Sequence, residues 1–280
     1  MDPVRQQQTG TSDTVSEWAI DRLDVGAYLS RIGYRGETAA SVEALQALHR
    51  AHVESIPFEN LDILLGRGIS LELDAIQEKM LYSQRGGYCF EHNLLFGALL
   101  ERLGFGVRRL DASRQPDRPG PRTHMCLAVE VGSEVWLADV GFGTALLEAV
   151  PVRDEAISEQ EGWSYSLKKE EGMNWILRSL EGDGWSNEYA FTLEPQRPID
   201  YVVHNHFTST HPASPFVNQL VALRKTTEKQ YALRGRNFVT SKPGEAPEHE
   251  VVADDDLAGV LERAFGIIVG DDELPRLLLL

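Results

Sequence analysis

Cys89 follows Arg85-Gly86-Gly87-Tyr88 and opens a run, Cys89 to Leu103, in which Phe90, Leu94, Leu95 and Ala98 recur at helical spacing. A cysteine at such a junction has a chemical meaning. The first turn of a helix leaves backbone N–H groups unpaired, and the macrodipole adds partial positive charge there. Both favour thiolate over thiol, so the position predicts a lowered pKa and a nucleophile. The two glycines allow a tight turn or the close approach of a substrate. A buried, inert cysteine fits the same position, since most free cysteines are core residues.

A thiolate needs a base and a group to orient that base. Of the eight histidines, His124 stands apart because it begins the alternating segment His124 to Val131. Gly132-Ser133 then offers a turn, and Glu134 to Val140 returns. A hairpin closed at that turn sets Cys126 opposite Asp139 and His124 opposite Gly141. His124, Cys126 and Asp139 then share one side of the ribbon, with His124 and Asp139 diagonal neighbours at about 7–8 Å. Asp139 lies between Ala138 and Val140 in an apolar strand, where an ionised carboxylate is costly without a partner. A shift of one residue in register would separate the two. The pair His124-x-Cys126 could instead bind metal, but two ligands at strand spacing do not make a site, so no metal is expected. His92 is read as a supporting or exposed group one turn beyond Cys89. His49, His52, His211 and His249 are read as ordinary surface or capping residues, and His204 and His206 fall in a polar stretch.

The elements that would position these groups follow in order. Residues 1–17, rich in Gln, Thr, Ser and Asp, read as a disordered leader. Asp24 caps a first helix ended by Gly33, Ser41 caps a second with Leu45, Leu48 and His52, and Asp74 with Gln77 resembles a capping box. From Val107 the pattern turns to strands: Val107 to Leu110, the hairpin above, Trp163 to Lys168 and Asn174 to Ser179. The last stretch mixes strand-like Val217 to Leu223 and Gln230 to Leu233 with a helix from Asp254–Asp256 through Phe265. The expected class is α+β, with a helical region 18–104, a β region 105–208 and a mixed region 209–280.

Composition sets outer limits. The chain has 280 residues and a net charge of -16, from 43 acidic against 27 basic residues. That excess disfavours nucleic acid and anionic membrane as partners, though a local basic patch can still hold an anionic ligand. Two cysteines are too few for a disulfide framework. No apolar run reaches the ~20 residues of a membrane span, and the first residues lack an apolar signal core, so a cytoplasmic protein is expected.

The local sequences then resemble a known family. Arg85-Gly86-Gly87-Tyr88-Cys89-Phe90-Glu91-His92-Asn93 is similar to the nucleophile motif of the arylamine N-acetyltransferases. Pro57-Phe58-Glu59-Asn60-Leu61, Thr123-His124-Met125, Asp139-Val140-Gly141-Phe142-Gly143 and Ser209 to Phe216 are similar to further family segments, in the same order. The resemblance implies a Cys89-His124-Asp139 triad, acetyl-coenzyme A as co-substrate and an arylamine or arylhydrazine acceptor. It implies an N-terminal helical domain, a central antiparallel β-barrel and a C-terminal α/β lid around a cysteine-protease or transglutaminase-like core. By resemblance Phe58, Phe142 and Phe207 are candidates for the acceptor pocket, where core packing is the plainer alternative. Thr123, Thr208 and Ser214 are candidates for coenzyme contacts, with Lys225, Lys229, Arg234 and Arg236 as sources of positive charge for its phosphates. Glu59 and Arg85 are expected either to buttress the nucleophile loop or to form a weak surface pair. A monomer or homodimer is expected. A thiol hydrolase or transglutaminase-like enzyme using the same triad is the rival reading.

Overall fold

The computed structural model describes residues 16–279 except 115, 119, 145, 173 and 183. Most of the expected leader 1–17 therefore lies outside the described residues. The first hundred residues supply helices α1 (Val25–Arg31), α2 (Val42–Ser55), α3 (Leu61–Leu64), α4 (Leu73–Gln77) and α5 (Cys89–Arg102), with a two-residue strand β1 (Phe58–Glu59) among them. Asp24 and Ser41 cap as expected: their side chains accept from Ala27 N at 2.8 Å and Ala44 N at 3.1 Å. The Asp74 cap is corrected. Helix α4 already begins at Leu73, and Gln77 turns away to accept from Asp24 N at 2.7 Å.

The middle of the chain folds into one antiparallel sheet. Its strands are β2 (Gly106–Ser113), β3 (His124–Val131), β4 (Glu134–Ala138), β5 (Val150–Pro151), β6 (Ala156–Gln160), β7 (Trp163–Lys169), β8 (Trp175–Glu181) and β9 (Gly184–Pro195). They order as β5-β4-β3-β2-β9-β8-β7-β6, and the two edge strands approach each other, so the sheet curls into a nearly closed barrel. The β3–β4 hairpin has the expected register, with Leu127 opposite Ala138 and Val131 opposite Glu134. Both faces of β3 are covered. Met125, Leu127 and Val129 pack on the helical core, while Cys126 and Ala128 face the barrel interior with Leu110, Tyr189 and Phe191. Burial on two sides explains why β3 is nearly continuous in apolar residues.

The chain continues through α6 (Pro198–Thr210) and α7 (Pro215–Asn218), then β10 (Val221–Lys225), β11 (Gln230–Arg234), β12 (Asn237–Ser241), β13 (Glu248–Val251), α8 (Leu257–Phe265) and α9 (Leu274–Leu277). Residues 217–220, read as strand, are taken up by α7 and a turn, because Pro215 starts a helix and Ser214 leads into it. The break expected at 208/209 falls inside α6. The second sheet is also not confined to the C-terminal stretch. Its order is β1-β10-β11-β12-β13, so Phe58 and Glu59 pair with Leu223 and Ala222. Leu61 and Leu65 join a core with Leu220, Leu233, Val260 and Phe265. The class is α+β, with an early segment stitched into the last sheet.

Candidate active site

Cys89 is the first residue of α5, and a two-sided fit builds the turn before it. A side chain on Gly86 would place its Cβ 2.0 Å from Pro57 O, so only glycine lets the two strands of chain meet. Glu91 then reaches back to accept from Tyr88 N at 2.9 Å, which holds the start of the helix. Glu91 is itself gripped by Lys79 at 3.0 Å, and Lys79 also pairs with Asp62 at 2.8 Å. The Glu59–Arg85 pair is buried, not superficial: Glu59 is inaccessible, and the Arg85 Nη2 to Oε1 distance is 3.1 Å.

The cysteine's environment departs from expectation. Cys89 is 3% exposed, and its sulfur points to Thr123 O at 3.8 Å. Burial pushes the thiol up to about 12, and the backbone N–H groups of Met125 and Phe90 only partly oppose this. The helix start therefore does not by itself make a thiolate, because desolvation outweighs the dipole. A thiolate here would have to form together with proton transfer to a base.

Such a base stands nearby. His124 Nε2 lies 2.6 Å from Asp139 Oδ2, and both side chains are buried. Asp139 Oδ1 accepts from Asn93 Nδ2 at 2.9 Å and from Gly141 N at 3.0 Å. Burial raises the Asp139 carboxyl, but the His124 contact and the Asn93 hydrogen bond hold it below its ordinary value. Asn93, one turn after Cys89, also donates to Met125 O at 2.7 Å and so ties α5 to the strand that carries His124. Gly141 fits only as glycine, since a Cβ there would sit 2.6 Å from Asn93 Nδ2 and 2.7 Å from Cys89 O. Cys126 is packed in the barrel interior. Among the described residues no group of three His, Cys, Asp or Glu could hold a metal ion.

Three histidines lie at the heart of this support: His49 and His52, expected at the surface or at a cap, and His92, expected to be either a supporting or an exposed group. His49, His52 and His92 are each inaccessible. His92 Nε2 donates to Pro57 O at 3.2 Å, which leaves Nδ1 to accept from His52 Nε2 at 2.7 Å. His52 Nδ1 in turn accepts from the Tyr28 hydroxyl. His49 donates from Nδ1 to Leu147 O at 2.9 Å and accepts from Asp139 N at 3.0 Å. In each ring one nitrogen must stay bare, so protonation breaks the chain. Burial lowers His49 and His92 to about 4, and burial with the neighbouring His92, His49 and Arg31 charges lowers His52 as well. Above pH 6.5 folded and unfolded chains hold these rings neutral alike, and the contribution is complete. As the pH falls from 6.5 to about 4, only the unfolded chain takes up the protons. His49 and His92 should each cost on the order of 3 kcal/mol across that window. Urea midpoints measured across it should fall steeply, and less steeply in His92→Asn. A flat profile would refute neutral burial.

The thiol opens on a cavity of about 130 Å³ lined by Phe58, Cys89, His124, Phe142 and Phe216, among others. Phe142 meets the His124 ring edge-on at 5.2 Å. A larger neighbour, about 360 Å³, is lined by Thr123, Phe207, Thr208 and Ser214. The two share Arg114, Thr123, Pro215 and Phe216. The placement of Phe207 is thus a correction: it stacks on His211 at 4.5 Å and lines the second cavity, and Phe216 is the third aromatic wall of the first.

The comparisons with known proteins decide the family. The N-acetyltransferase family model matches residues 41–274. The arylamine N-acetyltransferase of Mycolicibacterium smegmatis is 40% identical over 262 residues, covering 89% of this chain and 94% of that one. The chain belongs to the arylamine N-acetyltransferase family. Among solved structures, the arylamine N-acetyltransferase of Nocardia farcinica matches with a TM-score of 0.90 at 36% identity, covering 95% of this chain and 97% of that chain. That of Mycobacterium marinum, solved in complex with CoA, matches with a TM-score of 0.85 at 32% identity, covering 91% and 98%. Members of this family are acetyltransferases, and acetyl-coenzyme A is their co-substrate.

Within this arylamine N-acetyltransferase-like fold the other charged candidates separate. Lys225 is buried over the Trp163 ring at 4.0 Å and donates to Thr144 O at 3.2 Å, so it faces the barrel and not a coenzyme. Arg236 pairs with Asp254 at 3.0 Å. Lys229 lies in the turn between β10 and β11. Arg234 lines the cavity of Cys89. Thr208 and Ser214 already donate their hydroxyls to His204 O and Thr208 O. The sequence did not single out Asn93, Phe216 or the burial of His49 and His52. The one available signal was periodicity: Cys89, His92 and Asn93 share a helix face. No helix among the described residues is long and apolar enough to cross a membrane.

Proposed function

We propose that this chain moves an acetyl group from acetyl-coenzyme A to an arylamine or arylhydrazine by a ping-pong route through Cys89. The observation that carries the reading is the joint placement of Cys89 and His124 on one aromatic-walled cavity, with His124 bonded to a buried Asp139. His124 donates from Nε2, which leaves Nδ1 free to take a proton. In the first half-reaction Nδ1 removes the thiol proton as Sγ attacks the thioester carbonyl, and the unpaired N–H groups at the start of α5 receive the oxyanion. The carbon–sulfur bond to coenzyme A breaks, and the departing thiolate takes the proton from His124. In the second, the amine attacks the acetyl-Cys89 carbonyl, His124 takes the amine proton, and the Cys89 sulfur leaves and recovers it. Asp139 stabilises the cationic ring in both steps.

The acceptor sits against Phe58 and Phe142, and the coenzyme reaches the thiol through the cavity at Thr123, Thr208 and Ser214. The same reading carries the finer layout, a helical part with the nucleophile, a barrel with His124 and Asp139, and a C-terminal lid about a cysteine-protease-like core. The test is intact-mass analysis after mixing with acetyl-coenzyme A alone, then with an arylamine. One acetyl on Cys89, discharged only when amine is added, is the expected result. No adduct refutes the route, and discharge at the same rate without amine favours the hydrolase.

A further inference from the structure

Lys79 stands in a π-helical turn, Glu78–Tyr82, that follows α4. Turns of this kind are frequent at functional sites. Main chain and side chain of Lys79 both hold the segment that leads to Cys89. Its carbonyl accepts from Arg85 N at 3.1 Å. Its ammonium donates to Glu91 Oε1 at 3.0 Å and pairs with Asp62 Oδ2 at 2.8 Å. Glu91 in turn accepts through Oε2 from the N–H of Tyr88, the residue before Cys89, at 2.9 Å. A Cβ on Gly87 would meet that same oxygen at 2.8 Å. The carboxylate is thus seated in the nucleophile turn, with one oxygen on the backbone and the other on Lys79.

Charge decides what Lys79 contributes. Glu59, Asp62, Glu91 and Glu273 meet Arg67, Lys79 and Arg85 in one cluster beside α5. Arg85 serves Glu59, Asp62 and Glu273, and Arg67 serves Asp62 and Glu273. Among the described residues Lys79 is the only cation within ion-pair distance of Glu91. Burial raises the Glu91 carboxyl, the Lys79 charge and the Tyr88 N–H oppose the rise, and the Glu59 charge adds to it. On α5 itself, the adjacent His92 faces Pro57 O and His52 and leaves Glu91 to Lys79. Without Lys79 the carboxyl would take up a proton at higher pH. The neutral acid would bind the Tyr88 N–H about half as strongly, and the helix start would lose its negative group.

We propose that Lys79 is a positioning residue for acetyl transfer: it keeps Glu91 a carboxylate, and Glu91 fixes the first turn of α5, where Cys89 and the oxyanion-binding N–H groups stand. Its role rests on the acetyl-transfer reading and adds a remote side chain to it.

The test follows coenzyme A release with a saturating arylamine across about pH 6 to 9. It compares the native protein, Lys79→Met, Lys79→Arg, Glu91→Gln and the double variant Lys79→Met/Glu91→Gln, each shown to be folded by circular dichroism at the assay temperature. Lys79→Met should lower kcat by about 10- to 100-fold at the acid end, with KM for acetyl-coenzyme A unchanged. The loss should shrink toward the alkaline end, where Glu91 ionises again. Lys79→Arg keeps the charge and should restore most of kcat and the native pH profile. Glu91→Gln should lose a similar amount at every pH, and the double variant should match it, because Lys79 acts through Glu91. A pH-independent loss in Lys79→Met, or losses that multiply in the double variant, overturns the role of Lys79. Should Lys79→Met not fold, Glu91→Gln decides: native kcat overturns the role, and a tenfold or larger loss at unchanged KM, with Lys79→Arg near native, supports it. No turnover by the native protein refutes the transfer reading and the role of Lys79 with it.

Discussion

Cys89→Ser should abolish acetyl transfer, with kcat/KM lowered by at least about 10⁴-fold, while the fold survives. The serine hydroxyl is smaller than the thiol and fits the same space beside Thr123 O. Its deprotonation is far harder than that of a thiol, in a place where burial already pushes the thiol up to about 12. The desolvated hydroxyl should cost no more than about 1–2 kcal/mol. A thermal midpoint within a few degrees of the parent, together with lost turnover and no acetyl adduct, is the expected pattern. Retention of a tenth of the native rate would remove Cys89 from the mechanism.

Asp139→Asn tests the other half of the pair and should lower kcat by about 10³- to 10⁴-fold, with KM for acetyl-coenzyme A little changed. Asp139 Oδ1 accepts from Asn93 Nδ2 and Gly141 N. In the variant the remaining oxygen stays with those two donors, so the new amide nitrogen faces His124. His124 Nε2 must then accept, which moves the ring proton to Nδ1, the position needed for the thiol proton. The geometry is kept and the tautomer is wrong. Stability should fall by about 1–3 kcal/mol as the charge-assisted bonds weaken. A pre-steady-state burst of coenzyme A release is the direct readout. An unchanged burst would show that Asp139 serves packing only.

The hairpin explains why so much of this was legible. His124 to Val131 and Glu134 to Val140 are contiguous, the turn at Gly132-Ser133 sets the register, and the side-chain period of two decides which residues share a face. Once Cys126 is placed opposite Asp139, His124 and Asp139 follow. The caps at Asp24 and Ser41 were legible for the same local reason. Strand β9 was not, since only Tyr189 and Phe191 of its twelve residues are buried and its partner β2 lies far away along the chain. Helix α6 was hidden among hydroxyl and histidine residues of low helix propensity, with Pro198 at its start and Pro212 just past its end as boundary signals.

The histidines mark the limit most clearly. His49 and His52 carry a polar ring on a helix with an apolar face, a pattern that suits a half-exposed residue equally well. They are buried because Asp139 N, Leu147 O, His92 and Tyr28 supply partners from distant parts of the chain. Cys89 is the same case in reverse. The glycine turn, the helix start and the candidacy of Cys89 as nucleophile were written locally, in consecutive residues. Its high proton affinity and the walls it faces come from β3, β10, β11 and α7 packing against α5 and β1. Local geometry follows from neighbouring residues along the chain. Desolvation depends on what the rest of the chain brings against a group, so only the folded arrangement sets the chemistry of the thiol.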